Sequence, residues 1–139
     1  MNNLLDLIFD EDIIKLEEVL NYNINKEINF IDKSLNITPL ICAIDTNNIA
    51  IVELILKHKA NPNFTSQGLS LPLIHAMEIA VEAEDYGNKN EISNEVIIKL
   101  LEHGAKIDEE NYDGLTPYEF SKNYHIPAQK LFESIMNKS

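Results

Sequence analysis

The chain of 139 residues contains no arginine and no tryptophan, one cysteine and four glycines. Arginine makes most bidentate contacts to phosphate and guanine, so its absence, together with a net charge of −12, argues against nucleic acid and anionic membranes as partners. The lone Cys42 cannot form an internal disulfide, which favours a reducing, cytoplasmic location. No stretch approaches the roughly 18 apolar residues of a membrane helix. The N-terminal residues 1–12 lack the basic start of a secretory signal.

Acidic residues are abundant instead: the chain has 23 aspartates and glutamates but only 11 basic residues, all of them lysine. The length and the 45% hydrophobic content are those of one globular domain spanning residues 1–139. A strongly negative surface either keeps a protein soluble or attracts a basic protein partner. Composition leaves both interpretations open.

Two segments recur in register along the chain. Pro39 is followed by equivalent prolines at Pro72, 33 residues later, and at Pro117, a further 45 residues on. The segment 52–63 (VELILKHKANPN) recurs as 97–108 (IIKLLEHGAKID), again at an offset of 45. A 33-residue unit therefore repeats, and its third copy carries a 12-residue insertion between the two matched segments.

Each unit reads as two short helices. Thr38 and Thr116 precede the prolines, where a hydroxyl caps a helix and proline occupies its first turn. The second helix shows apolar residues at i, i+3 and i+4. Gly104 is placed to end that helix in the left-handed conformation. Lys59 stands at the equivalent position of the preceding copy, where we expect it to lower local stability.

These segments resemble the ankyrin repeat, with its 33-residue period, its T-P-L-H-x-A helix start and its V-x-x-L-L-x-x-G-A-D-x-N helix end. The resemblance implies an all-α solenoid of about four helix–turn–helix repeats, with the 12-residue insertion in the third. The predicted repeats are residues 1–33, 34–66, 67–111 and 112–139. The last repeat is predicted to have a shortened second helix.

Candidate catalytic and metal-binding residues are few. His58 and His103 occupy equivalent positions, but no cysteine or carboxylate completes a ligand set at a suitable spacing, so we interpret both as structural. His75 is also interpreted as structural, and His125 is expected in a surface loop. Cys42 lies among apolar residues and is predicted to be a buried small hydrophobe rather than a nucleophile. No nucleophile motif or phosphate loop is present, and we predict no enzyme activity, metal, cofactor or small-molecule substrate.

The insertion is rich in acids, with six between Glu78 and Glu95 and one aromatic residue, Tyr86. The sequence predicts that the first helix continues through Ala83, that a loop spans 85–92, and that Ser93 caps the next helix. The insertion is either a tolerated surface loop or an acidic patch with one aromatic anchor, suited to a basic partner.

The resemblance also implies a partner-binding surface, here called the concave face: the β-turn tips and the exposed row of first helices of each repeat. Its apolar members are expected to face solvent, which favours an interface. The candidate partner-binding residues on this face and in the insertion are Asp10, Leu35, Ile37, Asp45, Thr46, Glu78, Glu82, Asp85, Tyr86, Tyr112, Leu115 and Tyr124.

These features predict a non-catalytic module whose acidic concave face binds, and inhibits or neutralises, a basic protein. The alternative is an ankyrin-type adaptor or effector that bridges several cellular or host proteins. The expected location is the cytoplasm, or a host cell for an effector. A neutraliser would have one tight partner, whereas an adaptor would have several weaker ones.

Overall fold

The computed structural model describes residues 4–22, 28–83 and 93–138, and these residues form eight α-helices. Within the described ranges, extended structure is limited to two isolated β-bridges, Asp32 with Ile37 and Ser66 with Leu69. The predicted all-α class is confirmed. The helices are α1 (Leu4–Phe9), α2 (Ile13–Tyr22), α3 (Pro39–Thr46), α4 (Ile49–Lys57), α5 (Pro72–Ala83), α6 (Glu95–Glu102), α7 (Pro117–Tyr124) and α8 (Ile126–Asn137).

The helices pack as two rows. The inner row runs α1, α3, α5, α7, each helix contacting the next, while α2, α4 and α6 follow one another in the outer row. At the end of the array α8 packs mainly on α7. Since each helix pair contacts chiefly its neighbours, the apolar core is continuous along the array, as in repeat proteins.

Threonine and proline start two of the inner helices as the sequence predicts. The Thr38 hydroxyl accepts a hydrogen bond from the Ile41 amide (3.1 Å), and the Thr116 hydroxyl accepts one from the Glu119 amide (3.2 Å). Glu119 completes a capping box, because its carboxylate accepts from the Thr116 amide. Leu71, which takes the threonine position before α5, is buried instead.

Small residues allow the inner helices to approach closely. Ala43, Ala76 and Ser121 are at most 2% exposed, each on a different inner helix. A larger side chain at any of them would have to displace the neighbouring helix, because protein interiors are packed at crystal-like density.

The ends of α4 and α6 show why glycine is favoured there. Lys59 and Gly104 follow these helices, and both have positive φ, 76° and 99° respectively. Glycine adopts this conformation without steric cost, whereas a side chain at Lys59 makes it unfavourable. The predicted penalty at Lys59 therefore has a structural basis.

Asparagine side chains join consecutive repeats at these helix ends. The Asn29 amide group donates to the Lys59 carbonyl (3.2 Å), and its oxygen accepts from the Asn61 amide (2.6 Å). Asn63 repeats the arrangement one unit later, donating to the Gly104 carbonyl (3.0 Å) and accepting from the Lys106 amide (2.8 Å). Each asparagine thus satisfies one donor and one acceptor of the next loop.

The prediction of a shortened last helix is wrong. Helix α8 has 12 residues, against nine in α4 and eight in α6. Proline in the first turn is compatible with a helix start, and the His125 side chain caps the helix by accepting from the Ala128 amide (3.0 Å). His125 is also completely buried, so its expected place in a surface loop is wrong.

Around the insertion, α5 extends through Ala83 as predicted and has 12 residues against eight in α3. The N-cap residue of α6 is Asn94, which makes no side-chain capping bond, so the predicted cap at Ser93 is one residue off; the Ser93 hydroxyl still accepts from the Glu95 amide (3.1 Å). The predicted loop at 85–92 lies outside the described residues.

Candidate partner-binding surface

Carboxylates lie near the ends of three successive inner helices. Asp45 and Glu78 are each the seventh residue counted from the proline that starts their helix, and Asp10 directly follows α1. Glu82 lies one turn beyond Glu78 on the extended part of α5. All four residues are exposed, and the helices that carry or precede them, α1, α3 and α5, contact one another in succession.

Asp45 has a partner within the protein. The His75 Nε2 atom lies 2.5 Å from the Asp45 carboxylate, which joins α3 to α5 across the concave face. His75 was predicted to be structural, but its pairing with Asp45 was not predicted. Placing the two proline-led helices side by side would have suggested the pair, since neighbouring inner helices pack together.

Exposed apolar groups lie at the turn tips and at the end of the row. Leu35 and Tyr112 lie in turns preceding α3 and α7, and they are 57% and 64% exposed. Tyr124, at the end of α7, is 55% exposed and stacks on Phe120 with ring centroids 4.5 Å apart. The stacking limits the freedom of the Tyr124 ring and so lowers the entropy that a partner contact would cost.

Three of the candidate residues have other contacts. Ile37 is only 9% exposed and belongs to the core, so the prediction that it faces solvent is wrong. Its carbonyl accepts from the Asp32 amide (2.8 Å), and this β-bridge directs the side chain inward. Leu115 is half-buried against the core. The half-buried Thr46 donates to the Ala43 carbonyl (2.6 Å) and accepts from the Asn48 amide (3.1 Å), a local turn role.

The other two candidates, Asp85 and Tyr86, lie outside the described residues. Their predicted contribution to an acidic patch stays a prediction. On the described part of the insertion, the exposed Glu78 and Glu82 carry the acidic character.

Cys42 has the environment of a core residue. It is fully buried, and its Sγ atom lies 3.9 Å from the Leu5 carbonyl oxygen. Burial, and secondarily the nearby Asp45 carboxylate, raise the pKa of the thiol to about 12. A thiol with this pKa is protonated at neutral pH and is a poor nucleophile, as the sequence predicts.

The outer histidines differ in their contacts. His103 Nε2 lies 3.3 Å from a Glu53 oxygen, and the Lys99 ammonium approaches the other Glu53 oxygen at 3.8 Å. These contacts join α4 to α6, which agrees with a structural role for His103. The half-buried His58 lies at the end of α4. Over residues 4–22, 28–83 and 93–138, no group of three or more histidine, cysteine or acidic side chains is arranged to hold a metal ion.

None of the helices in the described part of the chain is both long enough and apolar enough to cross a membrane.

Comparisons with known proteins agree with this architecture. Residues 36–67 match the family model of the ankyrin repeat. Among solved structures, the ankyrin repeat domain of Bcl-3, described as a unique member of the IkappaB protein family, aligns with a TM-score of 0.67 and 22% sequence identity. The alignment covers 86% of this chain and 46% of that one, so the chain spans about half the length of its structural match. A search of curated proteins finds no matching sequence.

The stacked helix pairs, the turn tips and the recognised repeat define a helical-repeat fold. Residues 36–67 match an ankyrin repeat in sequence, and the structural match shows that the chain has the all-α ankyrin solenoid fold. Ankyrin repeats are generally protein–protein interaction modules without catalytic function.

Proposed function

We propose that this chain is a non-catalytic binding module whose acidic concave face holds a basic protein and inhibits or neutralises it. The observation that supports the proposal most is the exposed row of Asp10, Glu78 and Glu82, with Asp45 between them on α3. Fold alone does not assign a function, so these side chains are the support for the proposal.

Charge and apolar exposure have separate roles in this proposal. The net charge of −12 attracts a positively charged protein over distances of about a Debye length and accelerates its encounter. Leu35, Tyr112 and Tyr124 supply apolar contact area once the partner has docked. Tyrosine is among the residues that most often dominate interface energy. A surface that served only solubility would not require exposed aromatic groups beside the acids.

Protein is the partner class that this surface fits. Without arginine, the chain lacks the side chain best suited to phosphate and base contacts, and its charge repels nucleic acid. Cys42 is buried, and among the described residues His103 is committed to the contacts between α4 and α6. These residues support binding rather than chemistry as the function.

The test is affinity capture from the lysate of the native organism with three baits. The first bait is the unchanged protein. The second carries Glu78→Lys and Glu82→Lys on the concave face, and the third carries Glu17→Lys and Glu18→Lys on outer helix α2. Both double variants change the net charge equally, and all four residues are exposed, so the third bait controls for charge without altering the concave face.

The proposal predicts one basic protein, in stoichiometric amount, on the first and third baits and much less on the second. Equal recovery on all three baits would contradict binding by the concave acids. If the captured protein has a measurable activity, adding the unchanged protein should reduce it. Several proteins in substoichiometric amounts would favour the adaptor or effector function instead.

A further inference from the structure

His125 is the one fully buried histidine in the described part of the chain, and it joins three helices. It lies between α7 and α8 in sequence. Its Nε2 atom is 3.2 Å from the carbonyl oxygen of Ser93, two residues before α6, and its Nδ1 atom is 3.0 Å from the Ala128 amide nitrogen in the first turn of α8. One imidazole therefore connects the last helix pair to the start of α6.

The two partners determine the protonation state of the ring. The Ala128 amide is a donor, so Nδ1 must accept and carries no proton. The Ser93 carbonyl is an acceptor, so Nε2 must carry the proton and donate. Only the neutral Nε2–H tautomer satisfies both contacts.

We propose that His125 is a pH-sensitive latch that holds α8 and the last repeat on the preceding one in its neutral form and releases them when it is protonated. Protonation puts a hydrogen on Nδ1, opposite the Ala128 N–H group, so the helix cap is lost and two donors face each other. It also places a positive charge in a fully buried site.

The surroundings of His125 oppose protonation. Burial is the main cause that lowers the pKa of the imidazole below its ordinary value of 6.5, and contacts with the backbone of Ser93 and of His125 itself oppose the shift only in part. Among the described residues, no carboxylate lies within ion-pair distance of the ring.

The charged side chains on the helices around His125 are directed elsewhere. On α7, the Lys122 ammonium lies over the ring of Tyr118. The Glu133 carboxylate on α8 accepts a hydrogen bond from the hydroxyl of the same Tyr118. Glu119 caps α7, and the half-buried His75 pairs with Asp45. On α6, the half-buried Lys99 pairs with Glu53 and Glu102, while Glu78, Glu82, Glu95 and Lys130 are exposed to solvent.

The direction of the pH effect follows from this shift. Because the folded-state pKa lies below the unfolded-state value, the unfolded or released state binds a proton more readily. The contribution of the latch to stability is complete above a pH of about 6.5 and decreases as the pH falls below it. We expect the effect to concentrate in α8, because α8 packs mainly on α7 and has few other contacts with the array.

The test is amide hydrogen exchange of the full chain at pH 7.5 and pH 5.5, corrected for intrinsic exchange rates. Protection in α8 should fall at the lower pH, by up to about 10-fold per pH unit below 6.5, while protection in α3 and α4 should change little. The variant His125→Asn keeps a capping acceptor but cannot titrate, and its side chain is too short to retain the Ser93 contact. Its α8 protection should be the same at both pH values.

The matched control is His58→Asn, which removes a histidine from the end of α4 and should retain the pH-dependent loss in α8. If His125→Asn fails to fold, an NMR titration of the His125 ring in the unchanged protein gives the same information, and a midpoint below 6.5 is expected. Constant α8 protection in the unchanged protein, the same pH dependence in His125→Asn, or a ring midpoint at 6.5 or above would each overturn the proposal.

Discussion

Replacing Lys59 by glycine should stabilise the protein. Lys59 follows α4 with φ at 76°, and the equivalent residue one repeat later, Gly104, has φ at 99°. In this left-handed region a side chain costs roughly 1–2 kcal/mol. The Lys59 contact that joins repeats is made by its backbone carbonyl, which accepts from Asn29, so glycine preserves it.

The net gain is smaller than the strain that is removed. Glycine also makes the unfolded chain more flexible, which costs about 0.4–1 kcal/mol. The Lys59 side chain is exposed, so little packing is lost. We therefore expect Lys59→Gly to raise the free energy of unfolding by about 0.5–1 kcal/mol, which corresponds to roughly 2–4 °C in Tm for a chain of this size.

Two further variants test the cause. Gly104→Ala should destabilise by about 1 kcal/mol, and the cost should be conformational because an added Cβ would meet nothing within 4 Å. Lys57→Gly, the same exchange within α4, should destabilise by about 0.5–1 kcal/mol. Urea unfolding at fixed pH measures all three. An unchanged or lower stability for Lys59→Gly would refute the strain argument, and so would a gain for Lys57→Gly.

Two other predictions concern the cap of α7 and the core thiol. Thr116→Ala should lower the free energy of unfolding by about 1 kcal/mol in the same urea assay, because it removes the acceptor for the Glu119 amide; unchanged stability would show that the cap contributes nothing. With its pKa raised from 9.0 to about 12, Cys42 in the native protein should react with an aromatic disulfide at least ~1000-fold more slowly than a free thiol, and addition of urea should restore the reaction. Rapid labelling in native buffer would contradict the buried position.

The sequence was sufficient to predict the features of the fold that depend on local chemistry. Proline after a capping threonine predicted the starts of α3 and α7, because both residue types act within a single helical turn. Gly104 and Lys59 predicted the left-handed helix ends for the same reason. The repeat period then gave the order of the helices, since each unit packs against the next.

The errors arose where contacts between distant segments decide the outcome. Ile37 was expected at an exposed tip, but a bridge to Asp32 directs it into the core. His125 resembled a loop residue because its two partners are backbone groups, one of them 32 residues away. Every residue except proline has both a backbone donor and a backbone acceptor, so no residue pattern marks the pair that a buried imidazole will find.

The contacts of Asp45 refine the argument from charge. A net charge of −12 counts every acid equally, although Asp45 is bonded to His75 and Glu53 to His103, each across consecutive repeats. Both carboxylates therefore contribute to the junctions between repeats. Steering of a partner depends on the potential at the exposed surface. Glu78 and Glu82 on α5 are exposed; Glu78 has the same register as Asp45, and Glu82 lies one turn further along the helix. Substituting these two glutamates is therefore a better test of the concave face than substituting Asp45.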